Sequence, residues 1–197
     1  MQDDALFRLL LTILIVVVGV VRVYYQRQAR HAGPSKQFES TANIATRSAG
    51  GLVAIAALVL RVAKPEWLAW SSMPLWPVLR WTGVVVGFAA TLLLVWAHRT
   101  LGKNFTGTLH LRAEHTLVTS GPYHWIRHPM YTALLSIALA FFLLSANWFI
   151  GAMFIGGLTA VIATRMPKEE QVMASRFGSD CQSYAARTGR LLPRLRT

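Results

Sequence analysis

The chain has one cysteine, Cys181, in 197 residues. That excludes an intrachain disulfide and a cysteine-rich metal site. Acid is scarce as well: eight Asp and Glu stand against twenty Lys and Arg, and charged residues of both signs make up only 14%. With 54% hydrophobic residues and a mean hydropathy of +0.42, the composition is that of a membrane protein rather than a soluble domain. A formal charge of +12 would point to nucleic acid in a soluble chain. Here the Lys and Arg lie between apolar runs, where they set topology and meet anionic headgroups, so no nucleic-acid partner is expected. No Gly-rich strand–helix fingerprint of a soluble nucleotide-binding domain is present, and a cofactor site would have to be built from helix ends and loops. The first apolar run follows Asp3 and Asp4 and precedes "RVYYQRQAR". That order predicts an anchor, not a cleaved signal.

What the chain does have is five apolar runs, at about 5–25, 45–64, 79–98, 129–146 and 148–166. Arg8 and Arg22 bracket the core of the first, and Arg47 and Arg61 that of the second, so both rely on snorkelling or a thinned bilayer to cross. Gly83 and Gly87 in the third form a GxxxG pair that marks a close helix contact. "SANW" (145–148) reads as the turn of a tight hairpin between the last two. The loops 26–47 and 99–127 and the tail from Arg165 are basic, whereas the N-terminal tip is acidic and 62–78 nearly neutral. Five crossings put all the basic segments on one side, with the N-terminus outside and the C-terminus cytoplasmic. The expected fold is therefore an all-α integral membrane protein of five transmembrane helices. Residues 1–98 hold the first three. Residues 99–197 hold a cytoplasmic loop, helices four and five, and a cytoplasmic C-terminal amphipathic helix, and these form the site.

In the tail, Met173, Phe177, Cys181 and Tyr184 recur at helical spacing as one apolar stripe. Pro167 is expected to kink or restart the helix, and Gly178 to weaken it. "GPYHWIRHPMY" (121–131) reads two ways from its residues alone. Taken alone, its aromatics favour an interfacial belt, with Arg127 a positive-inside anchor and Pro129 starting a helix; the other reading is the wall of a site. Arg165 and Glu169 likewise suit a plain i,i+4 pair. His98 and His110 read as interfacial polar residues.

Taken together, "HTLVTSGPYHWIRHPMY", "RMPKEE", "FG…Y" and "RLLP" resemble the isoprenylcysteine carboxyl methyltransferase family and its phospholipid methyltransferase relatives, over roughly 98–195. The resemblance implies methyl transfer from S-adenosyl-L-methionine at the cytoplasmic face. It implies that His115, Thr116, Leu117, Val118, Tyr123, His128, Pro129, Met130, Tyr131 and Glu169 hold the cofactor, and that Arg165 contacts the substrate. Ala133 stands where many relatives have Gly. The implied partners are a lipophilic or prenylated acceptor and membrane lipids, with no metal.

The chemistry suits these residues. A carboxylate acceptor is ionised near pH 7 and needs a cation rather than a strong base, which Arg165 can supply as a bidentate fork. Glu169 can accept from ribose hydroxyls or an ammonium group. A thiol or lipid amine would want a base, for which His128 is the nearest candidate. A second enzyme class is an NADPH-dependent membrane reductase of the steroid-reductase type, which needs room and cations for a dinucleotide phosphate. A haem bundle using His98 and His128, or a scaffold, are the non-enzymatic alternatives.

Overall fold

A computed structural model describes residues 2–30, 36–37, 41–104, 110–111 and 116–194, with side chains for 4–28, 48–102, 104 and 116–194. The described residues form five long helices: α1 (Gln2–Arg30), α2 (Thr41–Ala63), α3 (Pro77–Leu101), α4 (Pro129–Ser145) and α5 (Trp148–Arg187). They coincide with the five apolar runs. Three of them, over Asp4–Gln28, Pro77–Leu101 and Trp148–Arg187, are long and apolar enough to cross a membrane; Ser48–Ala63 and Pro129–Ser145 are shorter. Short 3-10 turns at Pro65–Ser71 and Gly121–His124 connect them. The only strand pairing among the described residues is a two-residue ribbon of β1 (Lys36–Gln37) and β2 (His110–Leu111), antiparallel, with Lys36 opposite Leu111. It ties the loop after α1 to the loop after α3, at one end of the bundle.

The bundle is organised around α4, which packs most extensively on α3. Gly83 and Gly87 make that seam possible. A Cβ on Gly83 would lie 2.8 Å from Leu143 Cβ, and one on Gly87 would lie 2.8 Å from Leu14 of α1 and 3.2 Å from Ala140. Small residues thus let three backbones converge where lipid gives no hydrophobic drive. The apolar core runs through Phe7, Leu11, Leu58, Leu94, Ile137 and Ile150.

At the end away from the ribbon, α4 stops at Ala146, which is left-handed (φ +46°). Asn147 is fully buried and starts α5: its Oδ1 accepts from Ile150 N at 3.1 Å. Its Nδ2 donates to Leu68 O at 3.0 Å and to Ser71 Oγ at 2.8 Å, locking the 65–71 turn over the hairpin. The last carbonyls of α4 face two guanidinium groups. Arg80 donates to Leu144 O at 3.0 Å and Arg61 to Ser145 O at 3.2 Å, placing positive charge at the negative end of the helix dipole. Arg80 also pairs with Asp4 at 2.5 Å and lies 4.1 Å above the Phe7 ring.

The expectation about Pro167 is corrected. The helix passes through Pro167 with helical dihedrals and breaks instead at Gly178 (φ +51°, ψ −123°). Losing one N–H in an exposed turn is tolerated there, whereas the φ at 178 is one that only glycine adopts without strain. The helix expected in the C-terminal tail is therefore a continuation of α5, bent at Gly178, rather than a separate element. The anticipated stripe is on its less exposed side: Met173, Phe177 and Cys181 are half-buried, as are Val172 and Ala185 beside them, and Tyr184 is buried.

Candidate active site

At the ribbon end a cavity of about 300 Å³ opens between the 116–128 segment and the far part of α5. Three local features build its first wall. Asn104, just past α3, holds Thr116 from both sides: its Oδ1 accepts from Thr116 N at 3.2 Å and its Nδ2 donates to Thr116 Oγ1 at 3.1 Å. Gly121 takes a positive φ (+58°), and a Cβ there would lie 2.6 Å from Thr100 Oγ1, so only glycine lets the chain turn this tightly against α3. The turn buries Pro122 and Tyr123, and Tyr184 of α5 donates its hydroxyl to Tyr123 O at 2.7 Å. Burial raises the phenol of Tyr123 far above its ordinary range and that of Tyr184 to about 12, so both are neutral hydrogen-bonding groups.

The second wall carries two carboxylates. Glu169 Oε1 accepts from the Tyr131 hydroxyl at 2.7 Å and from Arg165 at 3.1 Å, and its Oε2 lies 3.8 Å from His128 Nδ1. Glu170 accepts from Arg127 at 3.2 Å and from Arg190 at 2.9 Å, with His128 Nε2 at 3.4 Å. The imidazole is thus bracketed by two acids. Burial nevertheless outweighs both and holds the His128 pKa below its ordinary 6.5, which leaves the ring neutral at pH 7. Burial opposes ionisation of Glu170 too, but the hydrogen bond and charge of Arg127, with Arg190 and His128, bring its pKa below 4.5. Arg165 is half-buried, and its Nε, shielded from solvent, has no hydrogen-bond partner among the described residues. A buried orphan donor beside a carboxylate is unusual enough to need a reason.

The third wall is the tail. Beyond α5 the chain returns across the start of α4: Arg127 N donates to Gly189 O at 2.8 Å, His128 N to Arg190 O at 3.0 Å, and Gly189 N to Trp125 O at 3.2 Å. Thr132 Oγ1 donates to Leu191 O at 2.6 Å. The Arg127 guanidinium donates to Ala185 O at 2.8 Å and Thr188 O at 2.6 Å, capping the end of α5.

Of the residues anticipated from sequence, Thr116, Leu117, Val118, Tyr123, His128 and Glu169 line the cavity. Tyr131 and Arg165 reach it through Glu169. Pro129 is buried as the first residue of α4, and Met130 packs on the apolar core rather than into the cavity. His115 lies outside the described residues. Ala133 is fully buried in the core, where its methyl takes the space a glycine would leave. Sequence reasoning missed Arg127, Glu170, Cys181 and Arg190 as cavity residues. Arg127 reads as an interfacial anchor, and no pattern in the sequence signals that its partners are carbonyls about sixty residues away. Glu170 had a signal, the doubled acid of "KEE". His98 is fully buried, stacked at 4.4 Å on Tyr25 of α1, and takes no part in the cavity.

The donor set can be tested against S-adenosylmethionine. A cation-bearing nucleoside needs carboxylates, an apolar slot and a few polar groups; Glu169 and Glu170, Leu117, Val118 and Met173, and the Arg127–His128 edge supply these within one cavity. The residues fit.

Comparison with known proteins bears out the family resemblance. Residues 82–175 match the isoprenylcysteine carboxyl methyltransferase (ICMT) family. A probable protein-S-isoprenylcysteine O-methyltransferase of Oryza sativa subsp. indica is 28% identical over 115 residues, covering 57% of this chain and 60% of that protein. Protein-S-isoprenylcysteine O-methyltransferase B of Arabidopsis thaliana is 32% identical over 90 residues, covering 45% and 46%. The chain therefore spans less than two thirds of the length of these relatives. The structure of the eukaryotic intramembrane Ras methyltransferase ICMT superposes with a TM-score of 0.59 at 18% identity, covering 91% of this chain and 67% of that one. At that identity the likeness is one of fold. Nothing in these relatives supports the reductase alternative.

Proposed function

We propose that this chain, whose residues 82–175 match the ICMT family, is a membrane-embedded methyltransferase that uses S-adenosyl-L-methionine and methylates the carboxylate of a prenylcysteine-like lipophilic acceptor. It crosses the membrane five times, with the N-terminus outside. The ribbon end faces the cytoplasm, and residues 99–197 carry the site. When bound, the cofactor supplies a sulfonium-activated methyl group. Glu169 holds its ammonium group or ribose hydroxyls, and Thr116, Leu117, Val118 and Tyr123 pack its nucleoside. His128, Pro129, Met130 and Tyr131 shape the start of α4 that closes the slot, and His115 belongs to the same segment.

Arg165 carries the choice of acceptor. Its orphaned Nε is a charged donor waiting for an acceptor beside the residue assigned to the cofactor, and a carboxylate matches a guanidinium better than any other group. An ionised carboxylate brings no proton to remove, so the chain needs only to hold and orient it. An amine or thiol would need a base, and His128 is badly placed to be one. Both its nitrogens face carboxylates, and its lowered pKa weakens its hold on a proton. His128 is better read as a positioning group.

Calorimetric titration of the purified protein with S-adenosylhomocysteine tests the reading, followed by turnover of an N-acyl S-prenylcysteine. Glu169→Ala should lose binding roughly 10- to 100-fold, as for removal of a charged hydrogen-bonding partner. Arg165→Ala should bind normally and turn over poorly. Normal turnover of the acid by Arg165→Ala would remove its assigned role.

A further inference from the structure

α5 does not keep one pitch. Between the Asn147 cap and the carboxylates, Ala152–Gly156 runs as a π-helix. Its hydrogen bonds span five residues rather than four, so this turn holds one residue more than an α-helical turn. Each α-helical residue rotates the chain by about 100°, and the extra one carries everything beyond it round by that amount.

The segments on either side are independently fixed. Upstream, Ile150 is fully buried under the Asn147 cap, and a Cβ on Gly151 would lie 2.5 Å from the Phe142 ring. Downstream, Ile162 is buried and Glu169 meets Tyr131 of α4. Positions 150 and 169 are nineteen apart in the sequence, about 100° out of line in a straight α-helix. With one residue absorbed by the π turn, eighteen remain, which is five whole turns. The same correction brings Ile162 to within about 20° of Ile150. No side chain at Gly156 takes part, and nothing lies within 4 Å of a Cβ built there.

We infer that the π turn at Ala152–Gly156 is the positioning device of the site: it sets the rotational phase at which Arg165 and Glu169 meet Tyr131 and the cavity. The number of residues in that turn, not their side chains, governs ligand binding. The inference rests on Glu169 as a cofactor-holding residue.

The test varies length and side chain separately. Deleting Gly156 should weaken S-adenosylhomocysteine binding roughly 10- to 100-fold, the loss of a charged hydrogen-bonding group. Gly156→Ala, which keeps the length, should bind as wild type. Deleting Gly156 and inserting one alanine between Thr159 and Ala160 should restore binding, because the phase returns before Ile162. A second variant covers a deletion that fails to fold: one alanine inserted between Ala163 and Thr164 leaves the packing through Ile162 intact. It should turn Arg165 and Glu169 away with the same loss.

Spin labels at Leu139→Cys and Lys168→Cys, in a Cys181→Ala background, report the rotation without any ligand. A changed inter-label distance with binding retained would overturn the positioning role. So would an unchanged distance in the deletion, or a reinsertion that restores the distance and not the binding. A wild type that binds no S-adenosylhomocysteine would instead remove the methyltransferase reading, while the labels still report whether the turn sets the phase.

Discussion

Glu170 accepts from Arg127 and Arg190 and faces His128, so one carboxylate holds the loop before α4, the tail and α5 together. Its pKa is lower folded than unfolded, and as pH falls the unfolded chain takes up the proton first. The stability it contributes is complete above about pH 4.5 and disappears as pH falls through the lower, folded value. His128 adds a loss of the same sign below about pH 6.5, because its buried ring must charge. Thermal melts at pH 7 and pH 4 should show a smaller acid-induced drop in Glu170→Gln than in wild type. An equal drop would mean that other acids hold the junction. Gly189 is the other critical position in the tail. A Cβ there would overlap Leu192 O, so Gly189→Ala should force the tail open at a cost of about 1–3 kcal/mol. Faster tryptic cleavage at Arg190 and Arg194 would report it.

Among the elements, the α4–α5 hairpin depends on Asn147, which caps α5 and satisfies two buried acceptors in the 65–71 turn. Asn147→Ala loses the cap and the donor to Ser71 Oγ, while Leu68 O keeps the Ser71 hydroxyl, at a cost of roughly 1–3 kcal/mol together. A melting temperature within a degree or two of wild type would contradict that. The sequence shows this element clearly, because the polar Ser145 and Asn147 of "SANW" interrupt an otherwise apolar run and hairpin turns are local. The five helices were legible for the same reason, and the Gly83–Gly87 seam through its spacing. The cavity was legible only in part. Motif residues such as Tyr123 and Glu169 stand out one by one. The tail's return across Trp125–His128 is made by backbone groups, which carry no residue code. The extra residue of the π turn leaves no mark in "AMFIG", since phase depends on where hydrogen bonds slip rather than on which side chains are present.

Across the whole molecule the two ends are built differently. One is sealed, with arginines on the α4 carbonyls and a buried asparagine under the 65–71 turn; the other holds the cavity. With the proposed orientation, native Cys181 should be reachable by a membrane-impermeant maleimide only from the cytoplasmic side. Ser72→Cys in a Cys181→Ala background should be reachable only from outside. Labelling of both from one side would overturn the five-crossing topology. The return of the tail onto the start of α4 also imposes an order in time. A nascent chain can insert its hairpin and display both carboxylates, yet the His128 amide has no carbonyl to meet until the ribosome has passed Arg190. Synthesis therefore delivers the scaffold first and the closed site last, and a polypeptide stalled anywhere in α5 occupies the membrane with an unfinished pocket.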